Sequence, residues 1–368
     1  MNRRLLVACF EPPGYGGAST ATYALFERMQ GDGLDVSYLT LLDPGTEPFL
    51  HQTFGAGFDN PRQLANVRTH RLEGPFHQSQ PALAAALRDA APEVVLAVGY
   101  IAALAVKQAA PHLTVILFTA GCDQVDRYLP LYGDAVGVCA ALQADRNPPL
   151  LFHAWERRAV ELVDLILVHS DLVRALFTGF YPYHAGKVYP EVIWMIEWIW
   201  QEAARHAALS RPFESRDIDL LFVSSRWDRY EKNFPLARAI IEECPDLRAH
   251  VVGLGAPPAG RSVRHGLLTS RRELFALMGR ARTVVSPSRA DAAPGILYEA
   301  DALGCNVVAS RNCGNWPLCH PALLAQPYAV EPFVAAARRA SGERYESGAA
   351  ALLARESYAT LLDICATI

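Results

Sequence analysis

The chain has 368 residues, 51% hydrophobic and 20% charged, with a net charge of -4. This length suits two domains rather than one core, and the composition excludes a disordered or fibrous protein. The slightly acidic balance provides no basic field for a phosphodiester backbone, so DNA and RNA are not expected partners.

The opening stretch "MNRRLLVACFEPPGYGG" sets two arginines before an apolar run that Glu11 and two prolines interrupt. That run is too short for the apolar region of a signal peptide and reads as a first strand. The loop after it, "EPPGYGGAST", ends in Gly16 and Gly17, ahead of a helix predicted from about Ala18 or Ser19. Glycines in that position let backbone N–H groups approach a phosphate or sugar; a plain tight turn is the alternative. A dinucleotide fingerprint G-x-G-x-x-G would need glycine where Ser19 stands, which argues against a nicotinamide enzyme.

Further runs, "DVSYLT", "VVLAVG", "TVILFT" and "LILVHS", alternate with stretches of helical period such as Pro81 to Ala91. This alternation predicts parallel strands with crossover helices. The longest apolar run, Val94 to Val106, is shorter than a membrane span and broken by Gly99 and Tyr100, so no transmembrane helix is expected. Eight cysteines are scattered without the spacing of a disulfide scaffold or a zinc knuckle, which fits free thiols in a cytoplasmic protein. The group Cys305, Cys313, Cys319 and His320 matches no familiar zinc spacing, and no metal is expected.

Strand periodicity stops between Val188 and Arg216, where Ile193, Ile196 and Ile199 or Trp200 recur at helical spacing. Trp194, Trp198 and Trp200 in this seam suit packing between domains, the commoner use of such rings, or contact with a membrane interface or a sugar. Strand runs resume with "DLLFVSS", "RAHVVGLG", "TVVSPS" and "NVVAS", and the tail from Tyr345 to Ile368 is helical in pattern. The expected architecture is α/β, with two Rossmann-like domains facing each other across a cleft. Residues 1–190 form the N-terminal domain and 191–215 a linker with a helix. Residues 216–345 form the C-terminal domain, and 346–368 a helix packing back across the seam.

In open parallel sheets, ligands bind beyond the carboxyl ends of the strands. In "SSRWDRYEKNFPLA", Arg226 and Lys232 leave a strand end near a helix start, where Arg binds two oxygens of a diphosphate and Lys acts as a mobile point charge; a solvated surface loop is the alternative. Gly253 and Gly255 in "VVGLG" would make room for a flat nucleobase. In "SPSRADAAPGILYEADALG", Gly295, Ile296 and Leu297 open a helix whose unpaired N–H groups make an anion site. Glu299, one turn in, reaches the vicinal hydroxyls of a ribose, and Asp291 faces a sugar. The plainer reading is that Asp291 caps the turn at Pro294-Gly295 while Glu299 pairs with a neighbouring base.

The order Gly16-Gly17, Arg226 with Lys232, Gly253 with Gly255, then Asp291 to Glu299 followed by "ADALGCNVVAS", resembles the retaining glycosyltransferases of family 4. The resemblance covers most of the chain and is strongest from Leu220 to Ser310. It implies the two-domain GT-B fold and a metal-independent transfer of a sugar from a nucleoside-diphosphate sugar, the co-substrate, to an acceptor hydroxyl with retention of configuration. It further implies that Arg226 and Lys232 bind the donor diphosphate, Glu299 the ribose and Asp291 the transferred sugar, with Gly17 near donor phosphate and acceptor. The sequence departs from the family pattern in carrying aspartate at Asp291 where glutamate is usual. It lacks the usual histidine in "LFTAGCDQVD", where Asp123 is the nearest polar candidate on the acceptor side, and it has "NCGNWPLCH" in place of a glycine-rich segment. The expected partners are a nucleotide sugar and a glycan, lipid-linked or small-molecule acceptor, with peripheral membrane contact left open. An epimerase or hydrolase of nucleotide sugars, or a non-catalytic binder, are the rival readings.

Overall fold

The computed structural model describes residues 3–13, 17–44, 67–119, 121–144, 153–194, 196–268, 270–326, 328–354 and 357–368. The chain divides into two compact units, one of residues 1–127, 147–195 and 356–368, the other of 128–146 and 196–355.

The first unit is built on β1 (Leu5–Cys9), β2 (Val36–Leu42), β3 (Val67–Arg71), β4 (Val94–Val98), β5 (Thr114–Phe118) and β6 (Leu165–Leu167). All pair in parallel, in the order β3-β2-β1-β4-β5-β6. Strands β1 and β4 are buried along their whole length, which is why they read as unbroken apolar runs. Strand β3, "VRTHR", is the exposed edge and carries no such run. The order reverses at β1, so β1 and β4 flank the switch point where ligands of such sheets gather. The C-terminal helix Ser357–Thr367 belongs to this unit: the Tyr358 hydroxyl donates to Asp32 at 2.7 Å, and Arg28 lies 3.9 Å above the Tyr358 ring.

The second unit repeats the plan with β7 (Ile218–Arg226), β8 (Ala249–Leu254), β9 (Val263–Arg264), β10 (Ala281–Val285) and β11 (Asn306–Val308). Their order is β11-β10-β7-β8-β9, again parallel, with the switch point between β7 and β10. Phe222, Phe234, Ile240, Val251 and Phe333 belong to its core. The helix Ile196–Ala204 packs on the helix Gly295–Ala302, where the Trp200 indole donates to Asp301 at 3.0 Å. Trp194 is buried in the first unit, and the side chain of Trp198 lies outside the described residues.

The units do not follow the halves of the chain. Residues 128–146 come directly after the loop of β5, yet they join the second unit. The helix Ala135–Ala144 begins there with the Ala135 N–H on the Arg289 carbonyl at 2.8 Å and the Val136 N–H on Asn312 Oδ1 at 2.9 Å. Both are orphan donors of a helix start, satisfied from the second unit's own loops.

Asp217 and Asp219 sit at the amino end of β7, opposite the carboxyl edge of the sheet. Asp217 pairs with Arg211 at 3.0 Å and Arg280 at 2.7 Å, which hold its carboxyl down at about 2. Asp219 is buried against Arg248 at 3.1 Å and Arg282 at 3.4 Å. All eight cysteines are free thiols, and all but Cys139 are buried. Among the described residues, no helix is long and apolar enough to cross a membrane.

Candidate functional site

The loops after β7, β10 and β11 are sewn together at the carboxyl edge of the second sheet. The Arg289 N–H donates to the Glu231 carbonyl at 2.8 Å, the Asp291 N–H to the Asn312 carbonyl at 2.9 Å, and the Gly314 N–H to the Asp291 carbonyl at 2.8 Å. The Asn233 amide donates to the Tyr328 hydroxyl at 2.7 Å, which passes its own hydrogen to the Pro287 carbonyl at 2.5 Å. Backbone bonds between loops fix positions that loop sequence alone leaves loose, and the side chains between them inherit that order.

Lys232 and Asp291 meet in this weave, Nζ to Oδ2 at 2.5 Å, with side chains 21% and 14% exposed. Arg226 grips Asp228 with two guanidinium nitrogens, the Nε contact at 2.9 Å and the Nη2 contact shorter. That pair is more exposed, and the arginine holds the Asp228 carboxyl below its ordinary range. Glu299 is buried and accepts from Arg271 Nη2 at 2.9 Å; burial pushes its carboxyl up, while Arg271 opposes the shift. Arg226, Lys232, Asp291 and Glu299 are therefore each paired with a counter-charge of the second unit.

The helix Gly295–Ala302 begins after Pro294, whose side chain supplies no cap. Leu297 departs from the expectation of a free amide: its N–H donates to the Pro294 carbonyl at 3.1 Å and its side chain is fully buried. Gly295 and Ile296 are half-buried at the helix start, where the helix end favours negative charge.

Gly253 has φ of 129°, and a Cβ there would lie 1.8 Å from the Ser224 carbonyl oxygen and 3.1 Å from the Trp227 indole nitrogen. The space a side chain would take is thus filled by β7 and its loop. Gly255 also has positive φ, 68°, and a Cβ would meet Asp228 at 3.6 Å, an ordinary contact.

Gly17 and Asp123 belong to the first unit, whereas the residues above belong to the second. Gly17 is exposed at the start of the helix Gly17–Gly31, with open space where a Cβ would go. Gly16 lies outside the described residues. Asp123 is exposed and opens the short 3-10 turn Asp123–Arg127, whose first N–H groups, of Asp123 and Gln124, donate to Glu156 at 2.9 and 2.7 Å.

Two residues of these constellations escape a sequence reading. Glu156 is 1% exposed and also accepts from the Tyr181 hydroxyl at 3.0 Å; burial, with the charge of Asp123, pushes its carboxyl up to about 8. In "AWERRAVEL" it looks like an acid serving a helix start in solvent. Arg271 left a fainter signal, as a cation in the first turn of the helix Arg271–Met278, where the helix dipole disfavours it and a specific partner is called for. Among the described residues, no group of three or more His, Cys, Asp or Glu is arranged to hold a metal.

No family model matches the chain, and no curated protein matches it. Solved structures do. Sucrose-phosphate synthase from Thermosynechococcus elongatus is similar with a TM-score of 0.62 at 18% identity, over 98% of this chain and 100% of that one. Anabaena HepE in complex with UDP-glucose is similar with a TM-score of 0.55 at 14% identity, over 98% and 99%. WaaG, a glycosyltransferase involved in lipopolysaccharide biosynthesis, is similar with a TM-score of 0.56 at 14% identity, over 92% and 90%. At such identities the likeness is one of fold, and the fold is GT-B: two parallel Rossmann-like sheets of six and five strands with their helices.

Proposed function

We propose that the chain is a glycosyltransferase that moves a sugar from a nucleoside-diphosphate sugar to an acceptor hydroxyl, with retention and without a divalent metal. The observation that carries this reading is the meeting of Lys232 and Asp291 at the switch point of the second sheet, the place where such sheets take a nucleotide. The fold shared with HepE in complex with UDP-glucose supports a uridine diphosphate sugar as the first donor to try.

In this reading Lys232 and Arg226 take the diphosphate, helped by the amides of Gly295 and Ile296, while Glu299 accepts from the ribose hydroxyls and Asp291 faces the transferred sugar. An ammonium has three donors, so Lys232 can keep its bond to Asp291 and still reach a phosphate oxygen. As the bond from the anomeric carbon to the phosphate oxygen breaks, positive charge grows on the sugar and negative charge on the departing diphosphate. Fixed cations aimed at that charge lower the barrier without the reorganisation that water would need. The acceptor oxygen attacks from the face the diphosphate leaves, and its proton passes to a phosphate oxygen, which gives retention without a protein nucleophile. The likeness of the motif order to retaining enzymes supports this course.

The test is incubation with UDP-glucose, UDP-galactose and GDP-mannose and a panel of glycoside acceptors, followed by NMR of the products. Transfer with the donor's own anomeric configuration is expected. Isomerised donor would favour the epimerase reading, and thermal stabilisation by donors with no turnover across the panel would favour a binder.

A further inference from the structure

At the carboxyl edge of the first sheet, aromatic rings from separate segments converge. Phe76 and His77 follow β3, Tyr100 follows β4, and His153 and Trp155 stand at the start of the helix Ala154–Leu162. His77 stacks on Trp155 with centroids 3.7 Å apart and planes 15° apart. Phe76 sets itself edge-on to both, at 5.5 and 6.3 Å, and to Tyr100 at 6.0 Å, while Tyr100 meets His153 at 4.8 Å. Although His77 covers one face of Trp155, the tryptophan remains 39% exposed, so the cluster is a surface and not a core.

Two polar networks hold these rings in place. Gln80, 1% exposed, accepts from the Glu73 N–H at 3.0 Å and donates to the Pro75 carbonyl at 3.1 Å, shaping the turn that carries Phe76 and His77. On the other side the His153 N–H donates to Gln124 Oε1 at 2.5 Å and the Glu156 N–H to His153 Nδ1 at 3.2 Å. With Nδ1 accepting, a neutral ring carries its hydrogen on Nε2, and burial favours the neutral over the charged ring. Asp123 and Arg127 are exposed at the two ends of the 3-10 turn that also carries Gln124, the partner of the His153 N–H, so a carboxylate and a guanidinium stand on the segment bonded to these rings.

We propose that this platform is a binding subsite for a pyranose ring, which lays a C–H face on Trp155 and turns its hydroxyls toward Asp123, Arg127 and His153. On the glycosyltransferase reading above, that ring is the sugar of the acceptor. The match is chemical: a pyranose has faces of weakly positive C–H groups, which suit the negative face of an indole, and a rim of hydroxyls that both donate and accept. A wholly apolar ligand would take water from Asp123 and Arg127 and offer them no hydrogen bond in exchange. A phosphate, though drawn by Arg127, would meet the repulsion of Asp123 and of the ring faces.

Saturation-transfer NMR on the full chain tests it, with methyl glucopyranosides, galactopyranosides and mannopyranosides as probes. At least one probe should receive saturation at its ring C–H protons, with affinity falling roughly tenfold in Trp155→Ala and largely restored in Trp155→Phe. His77→Ala, which removes the ring beneath, should weaken the same probe, and UDP titrated calorimetrically into all of these variants should bind as it does to wild type. If no pyranoside is saturated by the wild type, or if one is held equally by Trp155→Ala and His77→Ala, the subsite is wrong even where UDP binds. Pyranoside binding lost with Trp155, in a protein that takes no UDP, would uphold the subsite and sink the donor reading.

Discussion

Lys232 and Asp291 stand 59 residues apart in the chain and 2.5 Å apart in space. Loops after two neighbouring parallel strands deliver them, and the Arg289 to Glu231 backbone bond holds those loops together. Removing one partner leaves the other charge partly buried and unmatched. Lys232→Ala should lower turnover on the order of a hundredfold. In denaturant unfolding, the double variant Lys232→Ala with Asp291→Asn should lose less stability than the two single losses together, by about 1 kcal/mol. Strict additivity would mean that the pair does not couple.

Glu299 and Asp291 should separate by ligand. Glu299→Gln is expected to weaken both the donor and its free nucleoside diphosphate, because the ribose is common to both. Asp291→Asn should spare the diphosphate and reduce donor affinity or turnover. Calorimetric titration of both ligands decides it, and equal losses for both in the Asp291 variant would refute the assignment.

The glycines should part in the same way. Gly253→Ala meets a backbone oxygen at positive φ and is expected to cost at least about 3 kcal/mol of stability. Gly17→Ala enters open space and should leave the melting temperature unchanged. A lowered donor turnover in that intact protein would mark close approach of a phosphate at the first helix, and an unaltered rate would remove Gly17 from the site.

Glu156 gives a pH dependence of stability. Its carboxyl is raised from 4.5 to about 8, so between those values the folded protein binds more protons than the unfolded chain. Its stabilising contribution is therefore complete below about pH 4.5 and declines as pH rises toward 8. Thermal unfolding from pH 5 to 9 should show that decline in wild type and a flatter profile in Glu156→Gln. Parallel profiles would show that Glu156 titrates in its ordinary range.

Metal dependence bears on the leaving group. With Lys232 and Arg226 supplying positive charge, transfer should survive prolonged treatment with EDTA. Activity lost to the chelator and restored by manganese would transfer that role to a bound cation.

What the sequence determined by itself were the elements whose burial is one-sided or complete. Runs such as "VVLAV" and "LLFVSS" declare parallel strands because both of their faces must leave water, and the helix at Ile196–Ala204 declares itself by spacing. The order of glycines, cations and acids along the chain also stands in the sequence. Tertiary structure decided the rest. Strand β3 is an exposed edge held by pairing with β2, so "VRTHR" has no apolar signature to read. Residues 128–146 join the second unit through bonds to Arg289 and Asn312, partners far along the chain that no local pattern announces. Gly253 reads as room for a nucleobase until Ser224 is found where its side chain would go, and the base that pairs with Glu299 has no identity until Arg271 closes on it. Propensity and periodicity act over a few neighbours, whereas counter-charges and close backbone approach are set by which strands lie side by side.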